Sequence, residues 1–325
     1  MIIEDSEFNE VLRRAEEVYK ENFSNETWFE KCVFLSWYCD VGDCKFCFRS
    51  TQKEKIQDPN LARRSMESVL AEVFLAKKLG WQLEFLTGGY RIYPFEELVS
   101  VVKRVKELYG EKIWVNLGAL SIDELEKLRP YVKGVCGSIE TVNRSVHKRV
   151  CPSKPIEGYM KMFDDAKGFE KSLAIVIGLG EKIEDIKDLF RLIENNNISK
   201  IDFYPLHPIK GTIFSKGPDS LYYASWIALT RIKFPSIKIT AGTWVDRAAE
   251  TGLLLKAGAN SITKFPAIRM FNSEQARVIE EEAKNAGRKF LGTLTDVSYL
   301  DDIKADDRIK EKVENYIGVM RRSKS

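Results

Sequence analysis

Eight short β-rich runs, each followed by a longer stretch of helical periodicity, dominate the sequence and leave few architectures open to it. The runs are CVFLSW (32–37), LEFL (83–86), IWVNL (113–117), GVCGSI (134–139), SLAIVIG (172–178), KIDFY (200–204), IKITA (237–241) and NSITK (260–264). Helical patterns fall near 60–79, 94–109, 122–129, 155–168, 183–195, 219–233, 245–257 and 273–287, and an amphipathic helix near 6–22 precedes the first strand. No hairpin signal and no Pro- or Gly-rich linker interrupts this alternation, so the strands are expected to run parallel and close as a single α/β (β/α)8 barrel. A six-stranded partial barrel with a C-terminal extension is the alternative. The expected divisions are an N-terminal helical extension over 1–30, the barrel over 31–290 and a C-terminal extension over 291–325 that packs on it.

In such a barrel, functional groups collect at the C-terminal ends of the strands. Three of the six cysteines, Cys39, Cys44 and Cys47, follow the first strand directly in WYCDVGDCKFCFR. The same end is expected to carry Gly88, Gly89, Asn116, Glu140, Gly178 to Glu181, and Tyr204 to His207. The C-x4-C-x2-C spacing lets a loop containing Gly42 wrap three thiolates around one face of a cluster, and three thiolates for four irons leave one iron open to an outside ligand. Zinc is the competing reading, because C-x2-C is a zinc half-site. Its partner pair is absent, since Cys32, Cys136, Cys151, His147 and His207 are isolated.

Fifty-one basic residues against 48 acidic ones give a net charge of +3, which makes no electrostatic case for nucleic acid. The acidic start MIIEDSEFNE has no signal-peptide character, and no run of about 18 apolar residues occurs. A cytoplasmic protein with no membrane partner is therefore expected. In a reducing compartment, crowded cysteines point to metal or cluster ligation rather than to disulfides.

The cysteine loop resembles the signature of the radical S-adenosylmethionine (SAM) superfamily. The usual spacing there is C-x3-C-x2-C with an aromatic residue before the last cysteine; Phe46 holds the aromatic position, and this chain has one extra residue in the first gap. FLTGGY places Thr87, Gly88 and Gly89 where the family contacts the methionyl amino group of SAM, with Tyr90 where an acidic residue is common. SIETVN places Glu140 like the acidic residue that reaches the SAM ribose or amino group. AIVIGLGE resembles the G-x-I-x-G-x-x-E strand beside the adenine, which includes Val176 and Gly178, with Ala174 in place of the first glycine. The later segments IDFYPLHPIKGT, KITAGTW and AGANSITK resemble biotin synthase and its relatives, so that the likeness spans roughly residues 30 to 290. Those relatives are the [FeFe]-hydrogenase maturase, methylornithine synthase and the archaeal two-protein lipoyl synthase.

The resemblance implies a [4Fe-4S] cluster on Cys39, Cys44 and Cys47, SAM as cosubstrate, and a ferredoxin- or flavodoxin-type electron donor. It also implies a small-molecule or carrier-protein-bound acyl substrate, with a partner enzyme subunit as a further expectation. Cys136 and Cys151 are candidates to hold a second, sulfur-donating iron–sulfur cluster; the alternative is that each is a small buried hydrophobe. Cys32 is expected at the far end of the barrel, away from SAM. Thr87, Val115, Ala174 and Thr243 stand near where biotin synthase has its auxiliary-cluster ligands, which argues against biotin synthase itself. The expected activity is hydrogen abstraction from an unactivated carbon, followed by sulfur insertion as in a lipoyl synthase-like sulfurtransferase. Radical rearrangement or fragment transfer is the alternative, and a noncatalytic cluster- or zinc-binding scaffold the third reading. His207, Lys210 and Arg247 are expected near the mouth, the two cations as carboxylate binders or as solvated charges.

Overall fold

The computed structural model describes residues 5–301 and 303–322, and all eight expected strands are present. They are β1 (Glu30–Phe34), β2 (Gln82–Thr87), β3 (Ile113–Asn116), β4 (Val132–Glu140), β5 (Glu170–Ile177), β6 (Lys200–Pro205), β7 (Lys238–Gly242) and β8 (Ser261–Thr263). Each pairs in parallel with the next in chain order. The ring closes between β1 and β8 through one parallel bridge, Phe29 to Ile262. Along β5 the pleat sends Leu173, Ile175 and Ile177 outward to the helices, whereas Ala174 and Val176 face the interior. Both faces of the strand are covered, which is why its sequence reads as a continuous apolar run.

The first strand begins and ends earlier than its apolar run. Beyond Phe34, the Leu35 amide still donates to the Thr87 carbonyl at 2.7 Å, but Ser36 pairs antiparallel with Arg63 and the chain leaves the barrel. Cys32 therefore lies mid-strand in the interior rather than at the far end. A short helix, Arg144–Val150, was not anticipated; the Asn143 side chain caps it by accepting from the Ser145 and Val146 amides. The stretch 245–257 divides into a 3-10 turn, Val245–Glu250, and a helix, Thr251–Lys256. Two short strands, Glu26–Trp28 and Lys289–Leu291, pair outside the barrel, and a terminal helix, Asp307–Arg322, packs on the Met66–Lys78 helix. No described helix is long and apolar enough to cross a membrane.

The interior is unusually polar for a fold whose centre is ordinarily filled by branched aliphatic residues. Glu30 accepts from Lys200 at 2.6 Å and from Ser261 at 2.8 Å. Above it, Glu84 accepts from Tyr204 and, at 2.5 Å, from Thr263. Side chains of four strands thus hold one another across the barrel, and these buried acceptors are satisfied, as their burial requires.

The loop that follows β1 rests directly on the end of β2. A Cβ placed on Gly89 would lie 1.7 Å from the Tyr38 carbonyl oxygen and 2.5 Å from the Cys39 Cα, so only glycine permits this approach. The Asp40 amide donates to the Tyr90 carbonyl at 3.1 Å and fixes the same contact. Gly89→Ala is expected to cost about 1–3 kcal/mol in denaturant unfolding, as an overpacked site does, and to hasten proteolysis of residues 38–50; no change in either would show that the loop does not depend on this contact.

Behind β1, buried Glu72 pairs with Lys31 at 2.6 Å and with Arg64. Burial opposes the carboxylate charge, but Lys31 and Arg64 outweigh it and hold Glu72 below its ordinary range. Because the folded-state value is depressed, the stabilisation is complete above the ordinary carboxyl value of about 4.3 and disappears as pH falls through the depressed one. Urea titrations should find Glu72→Gln less stable by about 3–5 kcal/mol at neutral pH, with the deficit shrinking in acid. A deficit that is constant down to acid pH would contradict this account.

Candidate active site

Residues 35–47 cross the C-terminal mouth of the barrel and are tied down from several sides. Arg49 donates to the Ser36 carbonyl at 3.0 Å, and Lys53 donates to the carbonyls of Asp40 and Val41 at 2.6 and 2.9 Å. The Lys45 amide donates to the Val150 carbonyl at 2.8 Å, which joins the loop to the Arg144–Val150 helix. Cys39, Cys44, Phe46 and Cys47 all line one cavity of about 290 Å³ beneath the loop. The Tyr90 amide donates to Cys39 Sγ at 3.2 Å. Burial pushes the Cys47 thiol up.

The wall below the loop is built from β2 to β5. Thr87, Gly88, Gly89 and Tyr90 line it, together with Asn116, Glu140 and Val176. Asn116 accepts from Ser138 at 2.8 Å. Glu140, at the end of β4, adopts a left-handed φ of 65° and forms an ion pair with Lys154. Burial works against the Lys154 ammonium, but Glu140 and its other neighbours raise its pKa well above the usual value and keep it charged. Gly178 is not among the lining residues: with φ 107° it turns the chain against Leu206 and Pro218. Glu181 folds back to accept from the amides of Gly178, Leu179 and Gly180 at 2.6, 2.9 and 3.1 Å. The glycine motif is thus a loop held by its own glutamate, and it presents Val176 rather than Gly178 to the cavity.

The opposite wall comes from β6 to β8. Tyr204, His207, Trp244 and Lys264 line it, and the His207 and Trp244 rings stack with centroids 4.8 Å apart. Arg247 does not line the cavity: it pairs with Glu250 at 2.8 Å and donates to the Pro218 carbonyl. Lys210 is exposed.

Cys136 and Cys151 have different neighbours. Cys151, just after the Arg144–Val150 helix, interacts with Cys44, which holds the Cys44 thiol below its usual value and pushes that of Cys151 up. Cys136 is buried deeper in the barrel, where burial and the charge of Asp202 push its thiol well up. Burial, with Glu84 and Glu30 set against Lys200, pushes Asp202 itself up to about 7. Cys32, at about 12, is likewise a buried thiol. The participation of Cys151 beside the loop, of Lys154 and of Lys264 had no motif to announce it. The position of Lys264 just past the last strand was the one signal available.

These residues fit a cluster and SAM. Three thiols on one loop converge on a single cavity, an amide already donates to one of them, and Gly88 and Gly89 leave backbone exposed beside them. The donor set is three sulfurs, which suits iron–sulfur ligation with one iron open.

A model of the radical SAM superfamily matches residues 36–193. An uncharacterised protein of Methanocaldococcus jannaschii is 39% identical over 317 residues, covering 95% of this chain and 87% of that protein. Biotin synthase of Thermotoga neapolitana is 26% identical over 286 residues, covering 85% of this chain and 93% of that protein. Among solved structures, methylornithine synthase (PylB) superposes with a TM-score of 0.70 at 21% identity, covering 99% of this chain and 90% of that chain. The [FeFe]-hydrogenase maturase HydG of Carboxydothermus hydrogenoformans gives a TM-score of 0.70 at 16% identity, covering 96% and 82%. The parallel eight-stranded barrel, the three-cysteine loop at its mouth and these relatives agree: the chain belongs to the radical SAM superfamily, in its biotin synthase-like group.

Proposed function

We propose that the chain abstracts a hydrogen atom from an unactivated carbon of a substrate held in the mouth cavity, and that the substrate radical then rearranges or transfers a fragment. The observation that carries the reading is the convergence of Cys39, Cys44 and Cys47 on the cavity lined by Thr87, Gly88, Gly89 and Glu140. Cys39, Cys44 and Cys47 would hold the cluster, which when bound would supply the electron for reductive cleavage of SAM. The chain's own part is to hold and shield. Gly88 and Gly89 offer backbone groups to the methionyl end, and Glu140, paired with Lys154, offers a carboxylate. Val176 and the surrounding aromatic rings exclude water from a radical that must meet one hydrogen atom.

Sulfur insertion of the lipoyl synthase type is the second reading, favoured by the likeness to biotin synthase over 85% of the chain. It calls for a sulfur donor, for which Cys136 and Cys151 are the candidates. Cys151 interacts with Cys44 of the loop, Cys136 lies deeper beside Asp202, and neither lines the mouth cavity, which favours chemistry that needs no second cluster. An electron donor of ferredoxin or flavodoxin type and a small-molecule or carrier-bound substrate belong to either reading.

Anaerobically reconstituted protein is expected to hold about four irons per chain and, with dithionite and SAM, to release 5′-deoxyadenosine; Cys39→Ala should abolish both. Competent, reduced protein that forms no 5′-deoxyadenosine would overturn the radical reading. The Cys136→Ala/Cys151→Ala double variant should keep its iron at about four. A wild-type content near eight that falls to four in this variant would instead establish the sulfur-inserting reading.

A further inference from the structure

The cavity carries a cation that nothing in the chain neutralises by contact. Among its charged lining residues, Glu140 and Lys154 pair with each other, and Arg49 is engaged with the Ser36 carbonyl and the Phe34 ring. Lys264 has neither an ion-pair nor a hydrogen-bond partner among the described residues. Its ammonium lies 4.0 Å from the centroid of the Tyr204 ring and 5.8 Å from those of Phe34 and Phe85. Ring faces attract a cation but offer it no hydrogen-bond acceptor.

The placement is built by the backbone. Lys264 has φ 70°, a left-handed conformation that an unbranched side chain adopts only at a cost and that the surrounding structure must impose. Its stem passes over Gly242, where a Cβ would lie 3.3 Å from Lys264 Cγ and 3.0 Å from the Tyr204 ring. Below it, Glu84 is occupied by Tyr204 and Thr263, so it shapes the floor without reaching the ammonium. Glu140, the other left-handed non-glycine residue among those that line the cavity, ends β4, four strands away and so on the opposite wall. The cavity has an acidic wall beneath the cysteine loop that Lys154 neutralises, and across from it a basic one whose ammonium feels the charge of Glu84 but touches no acceptor.

We infer that Lys264 is the anchor for a carboxylate of the substrate, so that the molecule on which the radical acts is a free acid with an apolar body lying along Phe34, Phe85 and Tyr204. A single ammonium among aromatic rings matches one negative charge. A phosphate monoester would carry nearly two and calls for several donors or an arginine fork. The inference rests on the mouth cavity being the place of reaction. It also separates substrate classes, since an acyl chain joined to a carrier by an amide has no free carboxylate to offer.

Equilibrium binding to the reconstituted protein with SAM, in the absence of reductant, tests this apart from turnover. The probes are hexanoate, hexanamide and hexyl phosphate, followed by saturation-transfer NMR and calorimetry. Hexanoate should bind about tenfold or more tightly than hexanamide, the difference expected from one charge-assisted hydrogen bond in a partly buried site. Lys264→Gln should erase that preference while leaving SAM affinity and iron content unchanged, and Lys264→Arg should restore most of it. Equal affinity of wild type for acid and amide, tighter binding of the phosphate, or an undiminished preference in Lys264→Gln would each overturn the assignment. The acid–amide comparison in wild type decides even if the glutamine variant does not fold. Because none of these measurements involves SAM cleavage, a failure here is distinguishable from an absence of 5′-deoxyadenosine.

Discussion

The passage of the Tyr38–Cys39 backbone over the bare Cα of Gly89 is the constraint on which the site depends. It sets the first cysteine against the end of the second strand, where the Tyr90 amide reaches its sulfur, and thereby fixes where the other two can lie. The remaining ties, from Arg49, Lys53 and the Val150 carbonyl, hold a loop whose height above the barrel this contact has already determined. Glycine is required here for want of space rather than for an unusual dihedral angle, since Gly89 has no positive φ.

The barrel was legible because its strands are buried on both faces and separated by amphipathic helices, which gives eight apolar runs in a regular alternation. Boundaries were less so. CVFLSW reads as one run, yet hydrogen bonding turns the chain outward at Ser36, and that shift moves Cys32 from the rim of the barrel to its interior. The helix at 144–150 escaped notice because its stability comes from the Asn143 cap and from tertiary ties, such as Arg149 to the Leu179 carbonyl at 3.0 Å, rather than from a long periodic face. The terminal helix at 307–322 is held by packing and by Tyr316, whose hydroxyl sits 2.8 Å from Ser68, a partner remote in sequence.

For the site, spacing located the loop cysteines, the two glycines and Glu140, because each directly follows a strand end. It did not reveal which groups pair. Lys154 neutralises Glu140 from a loop with no motif of its own, and Cys151 faces Cys44 rather than Cys136. Gly178 and Glu181 belong to a recognisable motif, yet their observed contacts are with the motif's own backbone and with Pro218. Periodicity can say that a residue ends a strand; what meets it there depends on long-range packing.

The barrel wall is not uniform around its circumference. Seven of its strand junctions are ladders of two or more residue pairs, but β1 and β8 meet through the single bridge at Phe29 and Ile262, below the cavity. Above that point the two strands are joined by no backbone bond, and the residues facing each other across the gap are Phe34 on one side and Lys264 on the other. The wall therefore has a seam, and its upper end opens onto the cavity between the cysteine loop and the lone ammonium. Separating β1 from β8 above the bridge would therefore break no ladder, which is true of no other junction in the wall.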